Sequence, residues 1–149
     1  QFDQEDGVEK LVFADGSTLG GNDWTLDGIL GGLAGIYGTN SAETVTGFAN
    51  KDDTIVGRGG NDTLVGLSGN DVFVFETGFG KDIIADFVAG ANTADVISLK
   101  DGLYSNFSAL MSSAVQVGAN TMIAYDNDNA ITLKNVALGN LHQDDFLFG

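Results

Sequence analysis

An all-β fold of short strands and tight turns is what this sequence predicts, on three observations. Residues 57–74, GRGGNDTLV followed by GLSGNDVFV, form two nine-residue units in register. Each unit ends in a three-residue tail centred on a large apolar side chain, Leu64 or Phe73, so inward and outward positions alternate as in a short strand. TMIAY (121–125) and AITLK (130–134) alternate apolar and polar residues around Asp126-Asn127-Asp128-Asn129, a hairpin signature.

The repeat carries its own chemistry. Laid on G-G-x-G-x-D-x-U-x, the first unit supplies Gly57, Gly59, Gly60, Asp62 and Leu64, and the second Gly66, Gly69, Asp71 and Phe73. A glycine-rich turn reaches positive φ and exposes carbonyl oxygens that larger side chains would block. The Asp closing the turn adds a hard anionic oxygen, the ligand type calcium prefers. In these residues the chain resembles the C-terminal calcium-binding repeats of secreted RTX proteins.

The resemblance implies a parallel β-roll, a calcium-binding nonapeptide solenoid in which one unit is half a coil and stacked turns lie two units apart. It also implies calcium between such turns, held by Asp carboxylates and backbone carbonyls from both. GFANKDDTIV (47–56) fits with one inserted residue, placing Asp53 and Ile55 at the Asp and apolar positions. GTNSAETVT (38–46) fits with Glu43 in place of Asp, and Val45 inward. ETGFGKDII (76–84) keeps a glycine turn and Asp82, at a spacing of eleven from Asp71. Pairing alternate turns sets Asp53 with Asp71 on one face, and Asp62 with Asp82, joined by Glu43, on the other. The metal ligands implied are Glu43, Asp53, Asp62, Asp71 and Asp82, with the turn residues Gly57, Gly59, Gly66 and Ser68. About two to four calcium ions are expected.

Three segments follow in order. Residues 1–37 open on an apolar strand, Val8 to Phe13, and a turn at Asp15-Gly16. VEKLVFADGSTL resembles a segment found after an RTX repeat block, so this part reads as the end of a preceding block. GGND recurs at 20–23, and Trp24, Leu26, Ile29 and Leu30 fit a short helix or an irregular connector over 24–34, with Trp24 a packing anchor. Residues 38–84 are the roll. Residues 85–149 are a C-terminal cap and secretion-signal region, needed because a solenoid end exposes unpaired strand edges. There Asp86-Phe87 and DVISL (95–99) follow the family's ending. SNFSALMSSA (105–114) reads as a short amphipathic helix, with Ser105 or Asn106 as N-cap and Phe107, Leu110 and Met111 on one face. Leu141 and Phe146 to Phe148 are expected to pack back onto the cap.

Composition narrows function. Twenty-one acidic residues against six basic give a net charge of −15, which argues against nucleic acid and anionic membranes as primary partners. An apolar content of 43% is too high for a disordered polyacid. No Cys is present, which excludes disulfides, thiolate metal sites and Cys nucleophiles, and calcium is the staple that remains. The longest glycine-rich apolar stretch, residues 28–38, is too short to span a membrane. Asp126-x-Asp128 opens like an EF-hand loop, but Ile131 and Ala137 stand where Gly and Glu belong, so it reads as a solvated turn. His142 beside Asp144 and Asp145 has no G-x-S-x-G, H-E-x-x-H or Cys partner and reads as a surface residue. Gly57 to Gly60 leads into Asp62, not Gly-Lys-Ser/Thr, so it is no phosphate loop.

The sequence thus predicts a non-catalytic calcium-binding module, folding on calcium outside the cell, in a larger protein cut before residue 1. The resemblance implies export by the type I secretion machinery, stabilisation of an upstream domain, and a secreted or cell-surface location in a Gram-negative bacterium. DDFLFG (144–149) resembles the acidic-then-apolar end of such export signals. Two alternatives stay open: an extracellular polysaccharide-binding module of the alginate-epimerase kind, and a surface-layer or adhesin piece.

Overall fold

The computed structural model describes residues 35–91 and 95–149. The expected strand at Val8 to Phe13, the Asp15-Gly16 turn, GGND at 20–23 and the 24–34 segment lie outside the described residues.

From Ile36 to Leu99 the chain crosses between two sheets at every turn. The first sheet takes β1 (Ile36–Tyr37), β3 (Thr54–Val56), β5 (Val72–Phe75), β7 (Val96–Leu99) and β11 (Phe146–Phe148), in that spatial order and all parallel. The second stacks β2 (Thr44–Thr46), β4 (Thr63–Val65), β6 (Lys81–Ile84) and β10 (Ala130–Leu133) in parallel, then adds β9 (Asn120–Ala124) and β8 (Ala114–Val117) antiparallel. This is a parallel β-roll. Its strands are short because each repeat has only the x-U-x tail between glycine turns.

The eighth-position residues make the core. Ile36, Ile55, Phe73, Ile97 and Phe146 stand in register across the first sheet, and Val45, Leu64, Ile84 and Leu133 across the second. Ile55, Leu64, Phe73, Ile84, Ile97 and Leu133 are fully buried. At about 1.5–3 kcal/mol per such side chain, this double column is the main apolar contribution to stability. A one-residue slip would turn every column member outward, so the register is strongly specified.

Parallel stacking runs on past Ile84: β7 and β11 extend the first sheet and β10 the second. Helix α1 spans Phe107–Met111, shorter than 105–114. Asn106 caps it by accepting the Ala109 N–H at 2.9 Å. It ends where the Ser112 and Ser113 hydroxyls donate to the Ser108 and Leu110 carbonyls, and β8 follows at once against β9. Phe146 is buried, with the Phe107 ring 5.7 Å away. Leu141 is also buried, whereas Leu147 faces solvent. No helix among the described residues is long and apolar enough to cross a membrane.

Candidate metal centre

Each glycine turn delivers one acidic residue to a turn–strand junction, and the junctions form two columns. The turns entering the second sheet carry Glu43, Asp62 and Asp82; those entering the first sheet carry Asp53, Asp71 and Asp95. In each column one carboxylate oxygen accepts the main-chain N–H of the acidic residue one coil earlier. The Glu43 N–H donates to Asp62 Oδ1 at 3.0 Å and the Asp62 N–H to Asp82 Oδ1 at 2.8 Å. On the other edge the Asp53 N–H donates to Asp71 Oδ1 at 2.9 Å and the Asp71 N–H to Asp95 Oδ1 at 3.1 Å. The side chain thereby satisfies a donor at the strand start that would otherwise be orphaned.

The second oxygens differ between the edges. Asp62 Oδ2 and Asp82 Oδ2 are buried and accept no hydrogen bond. On the opposite edge Asp53 Oδ2 accepts the Phe48 N–H at 2.5 Å, and Asp95 Oδ2 the Val88 N–H at 2.9 Å. A buried carboxylate oxygen without a donor is costly. A hard cation is what such an oxygen fits, so the donor set at Asp62 and Asp82 suits calcium. Among the described residues no group of three or more His, Asp or Glu side chains gathers to hold an ion alone. The turn carbonyls must therefore supply the rest of any calcium shell.

The glycines at the first repeat position make room for these carboxylates. A Cβ on Gly57 would lie 2.8 Å from Asp62 Oδ2, one on Gly66 2.2 Å from Asp71 Oδ2, and one on Gly47 2.6 Å from Asp53 Oδ2. Gly59 is half-buried beside the next turn, with its Cβ position 3.4 Å from the Gly78 carbonyl. Ser68 is exposed, and its carbonyl and hydroxyl already accept the Lys51 and Asn50 N–H groups, at 3.1 and 2.9 Å. Glu43, one methylene longer than Asp, folds back to accept the Thr39 N–H in its own turn.

The columns hold strained protonation equilibria. Burial pushes the Asp82 carboxyl up to about 7, opposed by its hydrogen bond from Asp62 and reinforced by the Asp62 charge. Burial likewise raises Asp62, with the Glu43 charge adding to it, and Asp71, where Asp95, Asp53 and Asp86 add repulsion. Asp95 is raised by burial, with Asp86 contributing.

Asp95 and Asp86 are the acids of this ladder not singled out as ligands from sequence. Asp95 stands before Val96 as Asp71 stands before Val72, the same D-x-U signal, but its turn is long and the spacing from Asp71 is 24. Asp86 accepts the Gly66 and Leu67 N–H groups at 3.0 and 2.8 Å. Two other motifs fold onto themselves. Asp126 Oδ1 accepts the Asp128 and Asn129 N–H groups, both at 2.8 Å, closing the hairpin turn. His142 is half-buried, 3.1 Å from Asp144, and opens a 3-10 turn over Gln143–Asp145 by a capping box.

Residues 49–84 match the RTX calcium-binding nonapeptide repeat in four copies. No curated protein matches the chain at a significant level. Among solved structures it is similar to the extracellular lipase LipA from Serratia marcescens, at 20% identity and a TM-score of 0.55 over 75% of this chain. The chain spans 20% of that lipase. A subunit of the Azotobacter vinelandii mannuronan C5-epimerase gives 22% identity and a TM-score of 0.41, over 77% of this chain and 85% of the subunit.

Proposed function

We propose, from the premise that residues 49–84 are RTX calcium-binding nonapeptide repeats, that this chain is a calcium-loaded folding module of a larger secreted protein. The observation that carries the reading is the pair of buried, donor-less oxygens on Asp62 and Asp82 in successive turns of one edge.

Asp62 and Asp82 would hold calcium on the first edge with carbonyls of the Gly57 and Gly59 turn, and Asp53 and Asp71 on the second with those of the Gly66 and Ser68 turn. Bound calcium supplies positive charge between carboxylates that otherwise repel at short range. Without it, two stacked acidic columns in a chain of net charge −15 oppose the closed roll. Folding and binding are then one process. In a low-calcium cytosol the chain stays threadable for a type I exporter. Extracellular calcium, at the concentrations weak modules respond to, closes the roll and stabilises the domain before it. A Gram-negative host follows from the same reading. The similarity to an extracellular lipase supports the fold on which this rests.

The test is a calcium titration followed by far-UV circular dichroism, with calorimetry for stoichiometry. A cooperative rise of β-structure with more than one ion bound is the expected result. A chain fully folded in chelator and indifferent to calcium would remove the reading.

A further inference from the structure

The two edges of the roll are unlike in a way that neither folding nor calcium requires. Just after the first glycine of each turn, the edge bearing Glu43 and Asp62 carries Thr39 and Arg58. At the same place the other edge carries Phe48 and Leu67, and its third turn puts Val88 outward after the buried Phe87. Phe48 is 55% exposed, Leu67 50% and Val88 55%. These three apolar side chains crown successive turns between β2 and β3, β4 and β5, and β6 and β7.

Leu67 is also strained. Its φ of 73° lies in the left-handed region, where glycine is the ordinary occupant and where the repeat pattern itself calls for glycine. Arg58, at φ 68°, is the matching residue on the opposite edge, and its guanidinium lies over the Tyr37 ring at 5.1 Å. Leu67 holds a costly conformation to place an aliphatic side chain half in water. Arg58 shares that backbone, so the repeat turn sets it; what is particular to Leu67 is the aliphatic side chain it exposes.

We propose that this crest, Phe48, Leu67 and Val88, docks on a zwitterionic phospholipid surface. Together the three residues expose roughly 300 Å², the lower end of the range for a protein's largest apolar patch. Apposed to a second copy, the crest would bury about half of the ~1,200 Å² that stable protein interfaces need. The residues crown successive turns along one edge of the roll, where they can enter a deformable phase together. The neighbouring Asp52, Asp53, Asp86 and Asp95 outnumber Lys51, and the chain's charge is −15, so anionic lipid offers no attraction. Apolar insertion at the headgroup–acyl boundary remains, with binding that scales with the area inserted.

The experiment is co-flotation of the full calcium-loaded chain with phosphatidylcholine vesicles, and with vesicles containing phosphatidylserine. Wild type should float with phosphatidylcholine and no better with phosphatidylserine. Leu67→Gly relieves the strain, so its calcium-induced circular dichroism should be equal to or sharper than wild type. Its partitioning should fall about tenfold, the loss of one inserted aliphatic side chain. Leu147→Ser, at an exposed apolar residue away from the crest, should leave partitioning unchanged. Folded wild type that stays off vesicles, or a Leu67→Gly chain that floats equally well, would overturn the proposal. So would light scattering that finds a dimer lost in Leu67→Gly with no vesicle binding, since the occupant would then be a second copy. A chain that fails to fold with calcium strikes at the calcium reading instead, and circular dichroism reports that separately.

Discussion

Asp82→Asn separates the two roles of the acidic column because its effects with and without calcium have opposite signs. The carboxyl is raised to about 7 in the fold, against an ordinary Asp value of about 3.9. At ~1.4 kcal/mol per unit, that difference bounds the cost of the buried charge near 4 kcal/mol; solvent screening at the edge of the roll reduces it to roughly 2. An Asn side chain keeps an oxygen in place to accept the Asp62 N–H, now at 2.8 Å, so the ladder bond survives. The metal-free roll should therefore gain about 2 kcal/mol at pH 7.5. With calcium, an anionic oxygen is lost, and the calcium midpoint should rise about tenfold, equivalent to ~1.4 kcal/mol. The assay is circular dichroism in chelator across a trimethylamine N-oxide titration, which favours compact states, beside a calcium titration. The variant should fold at less osmolyte and at more calcium. If both midpoints move in the same direction, Asp82 is only structural and the metal assignment fails.

Protonation should act like the same substitution. Asp82, Asp62, Asp71 and Asp95 all have carboxyls raised in the fold. Their contribution to metal-free stability is complete below the unfolded value near 4 and lost as pH climbs through about 7 for Asp82. In chelator the folded fraction should increase as pH falls from 8 to 5, while the calcium midpoint moves upward; a metal-free chain that loses structure over that range would contradict the burial argument. Gly66→Ala places a methyl 2.2 Å from Asp71 Oδ2 with no backbone φ penalty. It should destabilise the calcium form by about 1–3 kcal/mol by displacing that carboxylate, read from urea midpoints in calcium. Leu64→Ala empties a fully buried column position and should cost about 2–5 kcal/mol in the same melts, with no change in the number of ions in calorimetry.

The repeat was legible because its physical requirements are local. A nine-residue spacing of Asp and apolar residues sets both columns, so Asp62 and Asp71, Leu64 and Phe73 fall where the spacing predicts. The Asn106 cap and the hairpin over 120–133 were legible for the same reason, each being a short-range pattern. The continuation of the sheets through β10 and β11 was not, because parallel partners there are distant in sequence and lack the glycine-Asp signature. Asn129 replaces that signature: its side-chain oxygen accepts the Gly80 N–H at 2.9 Å, as Asp82 Oδ1 accepts the Asp62 N–H of the coil before it. The hairpin turn thus docks as if it were the next coil, and Ala130 donates its N–H to the Gly80 carbonyl.

That mimicry explains why the acidic column stops where it does. In the register of β6 and β10, the residue opposite Asp82 is Ile131, which is fully buried, and the residue opposite Ile84 is Leu133. The apolar column continues into the cap while the carboxylate column ends. Asp82 therefore has a like charge, Asp62, on one side and a buried aliphatic side chain on the other, with no further coil to share solvent or cation. Its carboxyl is the most displaced of the column for that reason, burial first and the Asp62 charge after it. Ile131→Asp would extend the column by one charge where no glycine turn supplies carbonyls. It should destabilise the roll with or without calcium, which separates the carboxylate itself from the turn that makes a carboxylate useful.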